Sequence, residues 1–548
     1  MKFELSRLMP CLLAALVLLP LIGPESTAAA GIDIDKRSIA FAMRQEPPDL
    51  NTTTSTDAQS HIILDHIMEG LLTADKDNNL VGGVAERWEL REDGATFWLR
   101  KDARWSNGDP VTAHDFVFSW RKVLDPATAS EYAFVMYPVL NAEAINNGDK
   151  PVESLGVEAI DDLTLEVSFR QPVPYFLGLT AFTLLFPVQE AFYNSRGGRY
   201  GADVADMIFN GPFVLNEWVH GASLSLEKNP RYWNKSAIWL NHIEMPYITE
   251  DATARLNLYR DNKIALADEL VEESMGGALQ ERMQIKTFLD GAIFYVEFNH
   301  RSSRLTRNKN LRKAIQSVVN TDDLVYKILG NPGTYPSYGL YPRWIKGLES
   351  QFVREFPPPR AELSIEKGRE YLKKAMEELG VDKLPPINVL ADDSPNGKKS
   401  AEYLQTLLTQ TLGLEIRVDI QIFKQRLAKS MAGEFDMFVS GWGPDYDDIL
   451  TYADLFHSDN RNNRGRFKNY HYDELVKVAQ SSIDLKTRMQ AFADMQDILF
   501  EDVVIVPLFE RGKIFVQHPQ LKGVIRRAVG GDPNFNYAEI LPAQGEQP

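Results

Sequence analysis

The stretch with the most distinctive pattern of residues is WSNGDPVTAHDFVFSW, residues 105–120. A turn is predicted shortly before it, at residues 93–94, and the residues after that turn predict a strand over 96–100. Beyond it, apolar and polar residues alternate over 163–169, which predicts a second, half-buried strand. The stretch therefore lies in a region with several predicted strands.

Helical patterns are interleaved with these strands. Apolar residues fall on one helical face between Tyr371 and Leu379, and Gly380 is placed to end that helix. Another helical stripe at 492–499 is followed by a predicted buried strand at 503–509. This interleaving predicts an α/β protein. Because no proline- or glycine-rich linker separates autonomous domains, we expect lobes that the chain crosses more than once.

Composition and charge exclude several classes of protein. The chain has 548 residues, 44% of them apolar, which is enough for a large core. Its 59 Lys and Arg against 76 Asp and Glu give a net charge of −17, which disfavours binding to nucleic acid. The one cysteine, Cys11, excludes an internal disulfide framework and a cysteine-based zinc cluster.

Residues 1–30 have the pattern of a cleaved secretory signal. Lys2 and Arg7 precede an apolar run at 12–22, and Ala28-Ala29-Ala30 offers the small residues of a cleavage site. The apolar run is too short for a transmembrane helix. Cys11 lies before the run instead of at its end, so lipid anchoring is not expected. We expect export, which for a bacterial-type signal means the periplasm.

Catalytic and metal-binding motifs are absent from the sequence. It contains no nucleophile elbow, zinc-binding helix, phosphate loop or dinucleotide fingerprint. Residues 75–86 imitate a calcium loop, but Leu80 stands at the sixth position, where the sharp turn requires glycine. A polar hairpin turn is the better interpretation there. We therefore expect no enzyme activity, no cofactor and no metal.

The segment GWGPDY, residues 441–446, follows an apolar strand at 437–439. Glycines on both sides of Trp442 leave the backbone open to close approach by a ligand, and Asp445 could hold a cation there. Two alternatives stay open. The acids between Asp445 and Asp454 could bind a hard metal ion, or the segment is a strand-to-turn junction with a surface acid.

Taken together, these motifs resemble the periplasmic oligopeptide- and dipeptide-binding proteins, the family 5 solute-binding proteins of ABC transporters. The resemblance rests mainly on residues 85–97 and 105–120, and the 441–446 loop is similar to the family's ligand-facing motif. Shorter matches are Glu46-Pro47 with Leu50, Gly156-Val157 with Asp161, Pro174-Tyr175-Phe176, Asn210-Gly211-Pro212-Phe213, Phe298-Asn299, Leu311-Arg312-Lys313-Ala314 and Val506-Pro507-Leu508. Nearly the whole mature chain is covered.

The resemblance implies the two-lobed fold of the larger, three-domain periplasmic binding proteins (class II, similar to cluster C), with the ligand cleft between the lobes. Domains I and II would form one lobe and domain III the other, with strand crossings near residues 292 and 515. The expected segments are 1–30 for the signal peptide, 31–69, 208–292 and 516–548 for domain I, 70–207 for domain II and 293–515 for domain III.

The resemblance also implies a set of ligand-binding residues. These are Asp445, Gly441, Trp442, Gly443, Tyr446, Glu46, Pro47 and Phe509. Asp445 would receive the ligand's α-ammonium, and residues 441–443 would pair with its backbone. Pro47 and Pro48 lack N–H groups, so one or two ligand hydrogen bonds are expected to be missing on that side.

The partner of the ligand's carboxylate is left open. Tripeptide-binding relatives have a basic residue two positions before the Gly-Trp pair, where this chain has Val439. The alternatives are Lys424, Arg426, Lys429 and Arg511, which could equally be solvated surface charges.

The implied function is a monomeric periplasmic receptor that captures peptides and delivers them to an ABC permease at the inner membrane. Alternatives are a murein peptide, glutathione, haem or a metal chelate as ligand, or use in signalling or as a chaperone. A secreted hydrolase is a remote alternative.

Overall fold

The computed structural model describes residues 31–77 and 79–542, with the backbone alone at 272–273 and 423–424. The predicted signal peptide, residues 1–30, lies outside the described residues. The strands are β1 (Ile32–Asp33), β2 (Ser38–Met43), β3 (Leu72–Ala74), β4 (Leu80–Gly82), β5 (Ala85–Leu90), β6 (Gly94–Leu99), β7 (Val157–Asp161), β8 (Thr164–Ser168), β9 (Phe213–Val219), β10 (Ser223–Lys228), β11 (His242–Ile248), β12 (Leu266–Ala267), β13 (Ile285–Phe298), β14 (Tyr335–Pro336), β15 (Ile387–Asp392), β16 (Ile416–Gln421), β17 (Met437–Trp442), β18 (Ile505–Gln517), β19 (Leu521–Lys522) and β20 (Glu539–Ile540).

Helices are interleaved with these strands, as the sequence predicted. They are α1 (Ala58–Ile67), α2 (Ala113–Leu124), α3 (Ala142–Asn146), α4 (Phe176–Leu179), α5 (Glu190–Arg196), α6 (Ala252–Arg260), α7 (Glu272–Gln280), α8 (Lys309–Gln316), α9 (Thr321–Asp323), α10 (Phe352–Glu355), α11 (Ile365–Leu379), α12 (Pro395–Leu412), α13 (Phe423–Ala432), α14 (Leu450–Ala453), α15 (Tyr470–Ser481) and α16 (Leu485–Glu501). The prediction of an α/β protein is confirmed.

Three larger sheets organise the chain. A five-stranded sheet has the order β1-β2-β11-β10-β9, and a four-stranded antiparallel sheet has the order β5-β6-β8-β7. The third sheet has the order β12-β18-β13-β17-β15-β16, with β14 beside β18. Its β15, β16 and β17 are parallel, whereas β13 is antiparallel to both β17 and β18.

The 105–120 stretch forms the entry to α2 and part of the core. Thr112 and Asp115 form a capping box at the helix start, where the Thr112 N–H donates to Asp115 Oδ2 at 2.8 Å. Trp105 Nε1 donates to the same oxygen at 3.1 Å. Trp105 and Trp120 are both fully buried. The distinctive pattern of this stretch therefore has a structural reason. Its polar residues position the start of a helix, and its aromatic residues fill the core.

Several local predictions are confirmed, and two elements are longer than predicted. Gly380 ends α11 in the left-handed conformation, with φ of 67°. The chain turns between the paired strands β3 and β4, as predicted, and Asp75 Oδ1 accepts from the Asp77 and Asn79 N–H groups. However, β17 continues through Gly441 and Trp442, and β18 runs to Gln517. Both strands are extended by pairing with β13, which no local pattern indicates.

Two lobes are defined by separate hydrophobic cores. Buried apolar residues between 293 and 509 pack together and form the second lobe. Those at 39–278 and 514–540 form the cores of the first lobe. The long strands β13 and β18 run through both lobes. The finer division into domains I, II and III stays a prediction.

The crossing strands are irregular at the junction between the lobes. Leu289 pairs with Gly512 and Ile293 pairs with Glu510, so the residues between them bulge out of the ladder. Gly291 in this bulge has φ of 79°, and a Cβ there would lie 2.8 Å from a side-chain carbon of Pro444. Only glycine fits this position, which lies against the loop that follows β17.

Candidate functional site

The loop after β17 carries the candidate site. Its backbone is fixed at Asp445, whose N–H donates to Thr451 Oγ1 at 3.0 Å. Asp448 Oδ1 accepts from the Leu450 N–H at 2.9 Å, which fixes the start of α14. The loop is thus held by hydrogen bonds to its own following helix, and the carboxylate of Asp445 is left uncommitted.

A cavity of about 370 Å³ lies between the two lobes, and we call it the interlobe cavity. The second lobe contributes residues 445–448 together with Trp344 and Arg488. The first lobe contributes residues from 174–186 and from 527–530. Its walls combine aromatic and apolar residues with charged ones, and acidic residues come from both lobes, Asp65 from the first and Asp445, Asp447 and Asp448 from the second.

Two tyrosines join the lobes at this cavity. The rings of Tyr175, from the first lobe, and Tyr446, from the second, are stacked with centroids 5.2 Å apart and planes inclined by 22°. Lys346 Nζ also donates to Asn79 Oδ1 at 2.7 Å, across the same junction. The predicted site residue Tyr446 is therefore a wall of the cavity and an interlobe contact.

The carboxylates of the loop differ in their electrostatic state. Asp448 is held by a two-pronged ion pair with the buried Arg488, at 2.7 and 3.0 Å. Asp445 has no cationic partner among the described residues, and loss of solvent raises its pKa to about 6. Burial, together with the charges of Asp445 and Asp448, raises the pKa of Asp454 to about 7.

The cavity therefore favours a cationic ligand group near Asp445. A cation placed there would replace the solvent that the carboxylate has lost, and no protein cation competes for the position. Tyr132 lies close enough that the charge of Asp445, after burial, raises the pKa of its phenol. Within the described residues, no group of three or more His, Cys, Asp or Glu side chains is arranged to hold a metal ion.

One edge of β17 beside this loop has no strand partner, although Val439 and Ser440 are themselves buried. β13 pairs with the whole of β17, but β15 pairs only with Met437 and Phe438. Within the described part of the chain, no strand pairs with 439–442 on the β15 side. Gly443 faces open space, since a Cβ there would meet nothing within 4 Å. An extended chain could add to this edge.

Gly441 and Trp442 have packing roles at the same edge. A Cβ on Gly441 would lie 2.7 Å from the ring of Phe294, so this glycine is required by close packing. Trp442 is half-buried against the second-lobe core, and its buried Nε1 has no hydrogen-bond partner in the described residues. Both residues lie beside the cavity, but neither lines it.

Three other predicted site residues lie outside the interlobe cavity. Glu46 accepts hydrogen bonds from Trp218 Nε1, His220 Nδ1 and the Gly221 N–H at 2.7–2.9 Å, so its carboxylate is engaged within the first lobe. Pro47 is buried. Phe509 is 1% exposed and stacks on Phe294 in the second-lobe core, with centroids 4.6 Å apart. The structure does not bring these three together with Asp445.

The basic residues considered for the ligand's carboxylate mostly have acidic partners. Lys429 Nζ lies 2.6 Å from Asp419, and Arg511 lies 2.6 Å from Asp290. Arg426 is buried, 3.8 Å from Asp392. The side chain of Lys424 lies outside the described residues.

The sequence did not single out several residues that line the cavity. Tyr175 lies within the quoted Pro174-Tyr175-Phe176 motif, so the resemblance offered a signal for it. No sequence signal indicated Arg488 or Trp344, because each is an isolated residue that only tertiary packing brings to the loop. Arg527 lines the cavity from the C-terminal part of the first lobe, where it pairs with the buried Asp65 at 3.2 Å.

Comparisons with known proteins agree with this architecture. The family model described as bacterial extracellular solute-binding proteins, family 5 Middle, matches residues 79–464. This chain is 29% identical over 537 residues to the periplasmic oligopeptide-binding protein OppA of Salmonella typhimurium, covering 96% of each chain. The chain belongs to the family 5 extracellular solute-binding proteins.

Two solved structures are similar over nearly their full length. One is Listeria monocytogenes OppA bound to peptide, with a TM-score of 0.69 at 30% identity, covering 93% of this chain and 100% of that one. The other is the murein tripeptide-binding protein MppA in an unliganded open form, with a TM-score of 0.81 at 25% identity, covering 94% and 99%. Among residues 31–77 and 79–542, no helix is long and apolar enough to cross a membrane.

Proposed function

We propose that this protein is a receptor that binds peptides between its two lobes and delivers them to an ABC importer. The observation that carries the proposal is the carboxylate of Asp445, which has no cationic partner and lies in a cavity bounded by both lobes. Family membership and the peptide-binding relatives support it. Neither a catalytic motif nor a cofactor is needed for such a function.

Each part of the site has a role in this proposal. Asp445 pairs with the α-ammonium of the peptide, which sets the direction in which the peptide lies. The open edge of β17, at 439–442, pairs with the peptide backbone, which every peptide shares. Tyr175 and Tyr446 form aromatic walls around the first residue. Recognition of the amine and the backbone allows many sequences to bind.

We also propose that the described arrangement of the lobes is the open one. The overall similarity is higher to an unliganded open relative, with a TM-score of 0.81, than to a peptide-bound relative, with 0.69. A ligand that contacts both lobes stabilises the closed arrangement, because only there does it make both sets of contacts. The hinge is assigned to the bulge of β13 around Gly291.

The location and partners follow from the same proposal. The relatives named periplasmic support export through residues 1–30 to the periplasm. The partner is a permease complex at the inner membrane, and the receptor acts as a monomer. We assign domains I, II and III the boundaries expected from the sequence.

Calorimetry with tetra-alanine and its N-acetylated form tests the role of Asp445. We expect Asp445→Asn to weaken binding of the free peptide by about 2–5 kcal/mol, the usual loss when one partner of a buried charge pair is removed. Acetylation of the peptide should weaken binding to the parent protein and have little further effect on Asp445→Asn. The control is Asp459→Asn, which removes an exposed carboxylate outside the cavity.

An unchanged affinity of Asp445→Asn for tetra-alanine would contradict the assignment. Native mass spectrometry of protein purified from its own periplasm tests the ligand class directly. A bound peptide supports the proposal. A haem or metal chelate as the sole bound species would contradict the proposal that the ligand is a peptide.

A further inference from the structure

A second cavity, of about 420 Å³, lies within the second lobe beside β14. We call it the arginine cavity, after the three arginines that line it, Arg343, Arg354 and Arg360. It shares no lining residue with the interlobe cavity, although the neighbouring residues Arg343 and Trp344 each line one of the two.

The arginine cavity is distant from the open edge of β17. In the sheet, β14 pairs with β18, and β13 lies between β18 and β17. At about 4.8 Å for each step between strands, β14 lies about 14 Å from β17. A ligand in this cavity would therefore occupy a different part of the lobe from a backbone paired with β17.

The cavity has more positive than negative charge. Arg343 is committed, since its Nε lies 3.0 Å from Glu510 Oε1 and its Nη2 donates to the Pro336 carbonyl at 2.9 Å. Arg354 and Arg360 are exposed, and neither has an ion pair or a side-chain hydrogen bond with a described residue. Three guanidinium groups therefore line the cavity with one carboxylate, and two of them have no ion-pair partner among the described residues, although the net charge of the chain is −17.

One of these two arginines, Arg360, packs against an aromatic ring. The guanidinium of Arg360 lies 3.7 Å from the ring centroid of Tyr338, whose hydroxyl donates to Asp322. This contact restrains the guanidinium beside the ring, and a guanidinium binds carboxylate or phosphate in a two-pronged way through its N–H groups. Tyr341 also lines the cavity, and its buried hydroxyl has no hydrogen-bond partner among the described residues.

We propose that the arginine cavity binds an oxyanion, either a carboxylate or a phosphate group, through Arg354 and Arg360. The group has two possible sources. One is a free small anion. The other is an acidic side chain of a bound peptide. This second source rests on the proposed function, and it requires a peptide that reaches from the interlobe cavity, lined by Trp344, to the arginine cavity, lined by Arg343.

The first arm of the test uses free anions and does not require that the protein binds peptides. Inorganic phosphate and succinate are titrated by calorimetry at constant ionic strength, without peptide. We expect saturable binding that is at least fivefold weaker in the double variant Arg354→Gln/Arg360→Gln. The matched control, Arg461→Gln, removes an exposed arginine of the same lobe that lies outside the cavity, and it should bind as the parent protein does.

The second arm uses pentapeptides of alanine that carry one Glu, or the isosteric Gln, at each position in turn. If the acidic side chain is the source, one Glu peptide binds at least fivefold tighter than its Gln partner, and the double variant removes that difference. A positive result in either arm supports the proposal and identifies the source. If the double variant matches the parent protein for both anions and shows the same Glu/Gln ratios, the proposal is wrong. If no pentapeptide binds at all, the proposed peptide-binding function is wrong. The titrations with phosphate and succinate then decide alone whether the arginine cavity binds an oxyanion.

Discussion

Two acidic residues in the loop after β17 differ in their electrostatic environment, because only one of them contacts an arginine. Asp448 is neutralised by Arg488, whereas Asp445, three residues earlier, has lost solvent without gaining a cation. A carboxylate whose pKa is raised by loss of solvent is stabilised by any ligand cation that replaces the solvent. If Asp445 binds the ligand's ammonium group as proposed, this contrast predicts that Asp445 couples ligand binding to pH.

We predict that peptide affinity falls as the pH falls through about 6. The pKa of Asp445 in the empty site is about 6, and only the charged carboxylate pairs with an ammonium group. The sign is therefore a loss of affinity on acidification, of about tenfold between pH 7 and pH 5. Calorimetry with tetra-alanine over that range measures it.

Asp445→Asn provides the control for the pH dependence. Asp454, with a pKa raised to about 7, also titrates in this range, so a small residual slope in Asp445→Asn is expected. A slope as steep as that of the parent protein would contradict the role of Asp445.

The two glycines around Trp442 are predicted to respond differently to alanine. At Gly441 a Cβ would lie 2.7 Å from the Phe294 ring, so Gly441→Ala should lower the free energy of unfolding by about 1–3 kcal/mol through overpacking. At Gly443 a Cβ would meet nothing, so Gly443→Ala should leave stability nearly unchanged.

The peptide affinity of Gly443→Ala tests whether the ligand approaches this point. If the peptide backbone lies against Gly443, the added methyl group should weaken tetra-alanine binding at least fivefold. Chemical denaturation measures the stability of both variants. Equal destabilisation by the two substitutions would contradict the packing argument.

At the scale of elements, the open edge of β17 predicts how a peptide is held. A backbone that pairs with residues 439–442 uses its own N–H and C=O groups, each hydrogen bond contributing about 0.5–1.5 kcal/mol. Tetra-alanine methylated at one backbone nitrogen at a time should therefore lose about that amount at every second amide, because alternate amides point to the two sides of a strand. Equal losses at all positions, or none, would argue against strand addition.

Elements with local signals could be predicted from the sequence, whereas the site could be predicted only in part. The end of α11 at Gly380 follows from an apolar stripe and a glycine that accepts positive φ. The lengths of β17 and β18 could not be predicted, because their last residues are strand only through pairing with β13 and, at the end of β18, with β12. Arg488, which decides the charge of the loop, comes from a helix 40 residues away in sequence. Long-range packing of this kind leaves no local pattern.

At the scale of the molecule, the crossing strands connect the proposed binding site to the proposed hinge. Gly291 in the bulge of β13 packs against Pro444, which directly precedes Asp445. A rotation of the lobes about this bulge therefore moves the loop that carries the proposed ammonium site. The same rotation changes the interlobe cavity, since Tyr175 and Tyr446 come from different lobes. We therefore expect ligand binding and lobe movement to involve the same residues.

We predict that peptide binding makes the molecule more compact. In small-angle X-ray scattering, the radius of gyration should fall when tetra-alanine is added to saturation, because a ligand held by both lobes stabilises the closed arrangement. Asp445→Asn at the same peptide concentration should stay at the value of the empty protein, and Asp459→Asn should respond as the parent does. An unchanged radius of gyration in a parent sample that calorimetry shows to be saturated would contradict closure. In that case the described lobe arrangement would already be the ligand-bound one, and the bulge at Gly291 would serve packing alone.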